Sequence, residues 1–153
     1  MFRLVPRIAV ILLLVAGTVA PAAAGDRPVK GSGKGEVFND ALLFTDVLQG
    51  HGRATHFGRT KIEASVVQDY LRLGIFYPVG GGWLTTASGD SLYFVFNEEY
   101  SFFDPATGVI STKLLILGGT GHFLDARGDV DVKFVFDSNF SHFLFLIDGS
   151  INY

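Results

Sequence analysis

The chain has 153 residues, 48% of them hydrophobic and 14% aromatic, with a formal net charge of -3 at pH 7 and no cysteine. That length suits one domain with one core, and the missing cysteine excludes disulfides, thiol catalysis and thiolate metal sites together. The acidic balance argues against nucleic acid or an anionic membrane surface as a default partner.

Arg3 and Arg7 precede an apolar run from Ile8 to Val19, and Ala22-Ala23-Ala24 offers the small residues a signal peptidase needs. The run is too short for a bilayer that takes about 20 apolar residues to cross. Residues 1–24 are therefore expected to be a cleaved signal peptide, and the protein to be exported to a periplasmic or extracellular space. Loss of the two arginines would take the net charge to about -5.

Residues 25–35 read Gly-Asp-Arg-Pro-Val-Lys-Gly-Ser-Gly-Lys-Gly and show no apolar periodicity. This composition predicts a flexible leader, with one domain over residues 36–153. Phe38 to Leu48 suits either a short helix or a strand ending near Gly50. Beyond it, Gly50, Gly52 and Ala54 fall on one face of an extended strand, opposite Arg53, Thr55 and Phe57. Ile62, Ala64 and Val66 alternate with Lys61, Glu63 and Ser65, the pattern of a strand with one core face and one wet face.

Tyr70 to Tyr77 is apolar and less regular, and Pro78 with Gly80-Gly81-Gly82 predicts a loop. A hairpin follows, from Trp83 through the turn Ala87-Ser88-Gly89-Asp90 into Ser91 to Phe96. Glu99 to Phe103 predicts a further strand, joined by Asp104-Pro105-Ala106-Thr107-Gly108 to Val109 to Leu117. Val130, Val132, Phe134 and Phe136 then alternate with Asp129, Asp131 and Lys133, and a last strand runs from Phe140 to Tyr153. About eight short strands without a convincing helix predict an all-β antiparallel barrel or sandwich.

The connection Leu117-Gly118-Gly119-Thr120-Gly121-His122-Phe123, running on to Ala126-Arg127-Gly128, reverses the chain between two strong strands. Three of its glycines within four residues are expected to supply positive φ. Successive N–H groups there could also cradle phosphate, but no helix follows and no Walker lysine is present. Gly-Gly-Thr-Gly-x-Phe with Ala-Arg-Gly resembles the signature of the dirigent proteins and the related allene oxide cyclases, carried by Gly118, Gly119, Gly121, Ala126, Arg127 and Gly128. Ala54-Thr55-His56-Phe57-Gly58-Arg59 and Ala87-Ser88-Gly89-Asp90 are similar to segments of small exported bacterial proteins of that barrel type. The resemblance implies a small closed antiparallel barrel and a trimer. It places no active-site residue, although dirigent proteins steer coupling of phenolic radicals and allene oxide cyclases close a fatty-acid-derived epoxide.

Candidate chemistry is sparse. His51, His56, His122 and His142 form no HExxH pattern, so no metal is expected, and no Gly-x-Ser-x-Gly elbow anchors a hydrolase triad. No cofactor motif is present. Glu98 and Glu99 are neighbours in a predicted strand and so face opposite ways. His56 is the candidate catalytic residue, because alternation carried backwards from Ile62 without a bulge points it inward beside Gly52 and Ala54; a structural histidine is the alternative.

Three readings follow. The first is an exported barrel binding a small apolar or aromatic ligand in its mouth, its chemistry open. The second is a non-enzymatic structural or interaction barrel with a packed interior. The third is an outer-membrane barrel, suggested by Phe143, Phe145, Ile147, Ile151 and Tyr153 at alternate positions. Leu92 to Phe96, Leu114 to Leu117 and Phe143 to Ile147 are apolar on both strand faces, which predicts a homo-oligomer.

Overall fold

The computed structural model describes residues 25–40, 45–68, 78–104 and 106–153. They form eight strands: β1 (Asp26–Asp40), β2 (Thr45–Ala54), β3 (Gly58–Gln68), β4 (Pro78–Thr86), β5 (Ser91–Asp104), β6 (Val109–Gly119), β7 (Arg127–Phe136) and β8 (His142–Asn152). Each pairs antiparallel with the next, and β1 closes on β8, giving a closed eight-stranded up-and-down barrel. Closure leaves no unpaired sheet edge, which a chain without disulfides needs for a stable all-β fold.

The residues expected to be a flexible leader are instead the first part of β1, paired from Asp26 to Glu36 with β8. The reason lies in the period-two pattern of the stretch. Gly31, Gly33 and Gly35 alternate with Ser32, Lys34 and Glu36, so the glycines take the inward positions and the polar residues the outer wall. Opposite them on β8, Phe145 pairs with Gly33 and Phe143 with Gly35. A Cβ on Gly33 would overlap the Phe145 ring, and one on Gly35 the Phe143 ring. Glycine here marks a close approach of side chain to backbone.

Two further expectations change. Pro78 and Gly80 to Gly82, expected as a loop, belong to β4, where Gly80, Gly81 and Gly82 pair with Val66, Ser65 and Ala64. The two strands expected over Ser91 to Phe103 are a single β5, whose register with β6 shifts between Asn97 and Phe102 and leaves Glu98, Glu99 and Tyr100 exposed. The apolar stretch from Tyr70 to Tyr77 lies outside the described residues, as do Ala41 to Phe44 and the signal-peptide region.

Inward residues of the strands form one hydrophobic core among the described residues. Ile62, Ala64 and Val66 of β3, Val130, Val132 and Phe134 of β7, and Phe143, Phe145, Ile147 and Ile151 of β8 are all buried. The alternating apolar residues of the C-terminal strand thus point inward. The outer wall of β7 and β8 carries Asp129, Asp131, Lys133 and Asp148, all exposed, and charges of this kind on a lipid-facing wall are costly. The outer-membrane reading is therefore set aside.

Candidate functional site

The barrel has two ends. At one lie the β2–β3, β4–β5 and β6–β7 connections together with both described termini. Phe57 and Phe123 meet edge to face with centroids 5.2 Å apart, Phe123 and Tyr153 at 4.9 Å, and the Arg27 guanidinium lies 4.6 Å from the Tyr153 ring. This cluster plugs the end. Phe123 belongs to a single 3-10 turn, Gly121–Phe123, so the glycine connection is longer than a tight hairpin and delivers a phenylalanine into the core.

The glycines of that connection have distinct tasks. Gly118, Gly121 and Gly128 have φ of 126°, 54° and 147°, whereas Gly119 lies outside the left-handed region. Gly119 is needed for closeness: a Cβ there would overlap the Ser91 carbonyl oxygen. The neighbouring side chains lock the turn. Asp90 Oδ2 lies 2.7 Å from His122 Nδ1, the Ser91 N–H donates to Thr120 Oγ1 at 2.8 Å, and Arg127 Nη1 donates to the Leu117 and Ala126 carbonyls at 2.7 and 2.6 Å. The His122 ring holds the Asp90 carboxyl below its ordinary range. His122 and Arg127 therefore have structural work at the turn.

His56 does not point inward. β2 ends at Ala54, residues 55–57 form a turn closed by the Phe57 N–H donating to the Ala54 carbonyl at 3.2 Å, and His56 takes φ 66° with its side chain exposed. Phe57 occupies the inward position that continued alternation had given to His56. Gly58, with φ 65°, completes the turn, and the alternation of β2 resumes in β3 with Thr60 and Ile62 inward.

Inside the barrel the polar content is small. Thr60, Ser101 and Thr112 are the buried polar residues among those described, and the Ser101 and Thr112 hydroxyls lie 2.7 Å apart while Ser101 Oγ donates to the Asn97 carbonyl at 2.8 Å. No buried side-chain nitrogen or oxygen among the described residues lacks a hydrogen-bond partner. Aromatic rings continue through the middle: Phe96 to Phe134 at 6.3 Å, Phe134 to Phe143 at 5.7 Å, Phe143 to Phe145 at 6.2 Å, and Phe136 to Phe140 at 5.7 Å towards the far end. The described interior thus presents packed hydrocarbon and satisfied hydroxyls, with no acid or imidazole aimed into it.

A concave feature of the described residues lies on the outer wall. A groove of about 790 Å³ runs across β8, β1, β2 and β3, lined by Lys34, Glu36, Phe38, Gln49, His51, Lys61 and His142 with the backbone at Gly35 and Gly50. Register places these side chains in two cross-strand rows: Lys34 beside His51 beside Lys61, and His142 beside Glu36 beside Gln49 beside Glu63. Lys61 Nζ lies 3.1 Å from Glu63 Oε1, and Trp83 Nε1 donates to Glu63 Oε2 at 2.8 Å. Lys61 first, and Trp83 after it, hold the Glu63 carboxyl below its ordinary range. His142 Nδ1 is 3.1 Å from Asp137 Oδ2. Of the four histidines, two line this groove and two lie at the plugged end. Among the described residues no group of three His, Asp or Glu is placed to hold a metal ion.

Sequence reasoning passed over this groove because its residues are scattered over four strands, and only the pairing of β1 with β2 and β8 brings them together. The signal was the outward polar series at Ser32, Lys34 and Glu36, hidden by the glycines between.

No protein-family model matches the chain, and no curated protein matches its sequence. Among solved structures, the fold is similar to the pterocarpan synthase dirigent protein PsPTS1, with a TM-score of 0.51 and 14% identity over 84% of this chain and 94% of that one. The pterocarpan synthase dirigent protein GePTS1 aligns with a TM-score of 0.48 and 13% identity over 84% of this chain and 86% of that one. The architecture is a dirigent-like eight-stranded barrel.

Proposed function

We propose that this dirigent-like barrel is an exported, non-enzymatic interaction protein whose interior is structural and whose outer wall makes the functional contacts. The observation that carries this reading is the aromatic packing of the described interior, with Phe57, Phe123 and Tyr153 clustered at one end and Phe94, Phe96, Phe134, Phe143 and Phe145 in contact through the middle. Each phenylalanine fully buried in this way contributes about 1.5–3 kcal/mol to folding, and the buried rings of Phe94, Phe96, Phe134, Phe143 and Phe145 occupy volume that a ligand would need. Absence of any unsatisfied buried polar atom among the described residues supports the same conclusion, since a site that orients a ligand keeps convergent polar groups for it.

Native mass spectrometry of the exported protein tests this. The reading expects a polypeptide mass corresponding to cleavage after Ala24 and no stoichiometric small molecule retained; a co-purifying apolar ligand would overturn it.

A second reading keeps a small apolar or aromatic ligand in the barrel mouth. It is favoured by the buried Ser101 and Thr112 hydroxyls beside the irregular part of β5, and by the barrel's likeness to a protein described as a pterocarpan synthase dirigent protein. Such a ligand would enter at the end away from the Phe57 plug.

Self-association completes the proposal. Val135, Leu144 and Leu146 are exposed by 37%, 57% and 54% on adjacent strands β7 and β8, an apolar outer patch of the kind that oligomers cover. A homotrimer is the assembly that the family resemblance suggests.

A further inference from the structure

We propose that the outer face of β1, β2 and β3 binds an acidic polysaccharide. This deepens the reading of the outer wall as the functional surface and rests on it. In a chain of net charge -3, this face gathers Lys30, Lys34, Arg53, Arg59 and Lys61, with His51 among them, all exposed. Arg53 and Arg59 are directly opposed across the β2–β3 pair, and Lys34, His51 and Lys61 form a continuous row one step along the sheet. Like charges directly opposite each other destabilise a sheet, so the arrangement is costly without an anion above it. Lys30 is paired with Asp148 at 3.2 Å and Lys61 with Glu63 at 3.1 Å. Lys34, Arg53 and Arg59 have no ion pair among the described residues.

The spacing favours a repeating anion. Neighbouring strands lie about 4.8 Å apart and same-face residues along a strand about 7 Å apart, so the cations form a grid along which successive acid groups of a polymer can be matched. The flank of this grid says what lies between the acid groups. Trp83 and Tyr93 are directly paired on β4 and β5 and exposed by 45% and 44%, and Trp83 is fixed by its hydrogen bond to Glu63. The exposed rings of Trp83 and Tyr93 offer stacking to the C–H face of a sugar ring, and Glu63, Gln49 and Glu36, which follow in the same cross-strand row, offer acceptors to its hydroxyls.

The test uses the full exported protein and polygalacturonate as probe, with neutral dextran, single-stranded DNA and phosphatidylglycerol vesicles as comparisons. Wild type is expected to bind polygalacturonate and not dextran, more weakly as salt rises. Arg53→Glu with Arg59→Glu is expected to weaken binding at least about tenfold, since each reversal replaces an attraction to the polymer by a repulsion. Trp83→Ala weakens it further, whereas Lys133→Glu on the opposite wall leaves it unchanged. Circular dichroism confirms folding of each variant, and Lys34→Gln provides a second loss without reversing any charge. No binding to polygalacturonate, equal effects of the arginine and Lys133 variants, or tighter binding to DNA or vesicles than to polygalacturonate would overturn the proposal. Such a failure with no ligand retained inside the barrel leaves the outer-wall reading standing; a retained interior ligand removes that reading whatever the glycan result.

Discussion

Asp90 and Asp137 hold turns at opposite ends of the barrel by the same means. Asp90 contacts His122 across the glycine connection, and Asp137 Oδ1 accepts the Ser141 N–H at 2.8 Å while Oδ2 faces His142. Both carboxyls are lowered from their ordinary values, Asp90 chiefly by His122 and Asp137 chiefly by the Ser141 backbone. A carboxyl with a lowered folded-state pKa adds stability that is present above its unfolded value, about 3.9, and lost as pH falls through the folded value. Asp90→Asn should therefore lower the melting temperature at pH 7, and its deficit against wild type should shrink as pH drops below about 4. A deficit that stays constant down to pH 2 would show that the contact acts through shape alone. Gly121 stands next to this pair: it has φ 54°, and a Cβ there would overlap the Asp90 carboxylate. Gly121→Val should cost more than the strain of about 1–3 kcal/mol alone, whereas Thr120→Ala loses one hydrogen bond worth about 0.5–1.5 kcal/mol. Equal melting temperatures for the two variants would contradict this account of the turn.

At the scale of the element, β1 shows why some strands were legible in the sequence and others were not. β3 and β7 announce themselves because their inward positions are apolar, as at Ile62, Ala64 and Val66 or Val130, Val132 and Phe134. β1 obeys the same period, but Gly31, Gly33 and Gly35 hold inward positions where a Cβ would overlap the β2 backbone and, at Gly33 and Gly35, the Phe145 and Phe143 rings of β8. Hydrophobic periodicity cannot register a core residue that contributes only space. The inward placement expected for His56 is not what the structure has, for a related reason: alternation was carried through residues 55–57, which form a turn, and within the turn Phe57 rather than His56 is buried although the same parity faces inward on both strands. Complementarity of glycine and phenylalanine can be tested directly. Gly33→Val should destabilise by about 1–3 kcal/mol through overpacking, and Phe145→Ala by about 3–5 kcal/mol through the cavity it leaves. The double variant should be less destabilised than the sum of the two, with a coupling of about 0.5–3 kcal/mol. Simple additivity in denaturant unfolding would mean that the two residues do not share that volume.

For the whole molecule, closure of the barrel separates an aromatic interior from a wall divided by chemistry. The β1–β3 side is basic, while the β7–β8 side joins an apolar patch to the carboxylates of Asp129, Asp131 and Asp148. The proposed trimer would cover that patch, so light scattering of Leu144→Asp with Leu146→Asp should give the mass of a single chain where wild type is expected to give three. A wild-type particle of one chain's mass at micromolar concentration would reject the interface. The claim on which the account depends is that the barrel is filled by its own side chains. Xenon separates a packed interior from an empty apolar one, because it enters dry cavities and leaves packed cores alone. A crystal structure of the protein under xenon pressure should show no xenon among Phe94, Phe96, Phe134, Phe143 and Phe145, while Phe145→Ala should admit it. Xenon at full occupancy inside the wild-type barrel would contradict the packed interior and restore the barrel mouth as the place to look for a ligand.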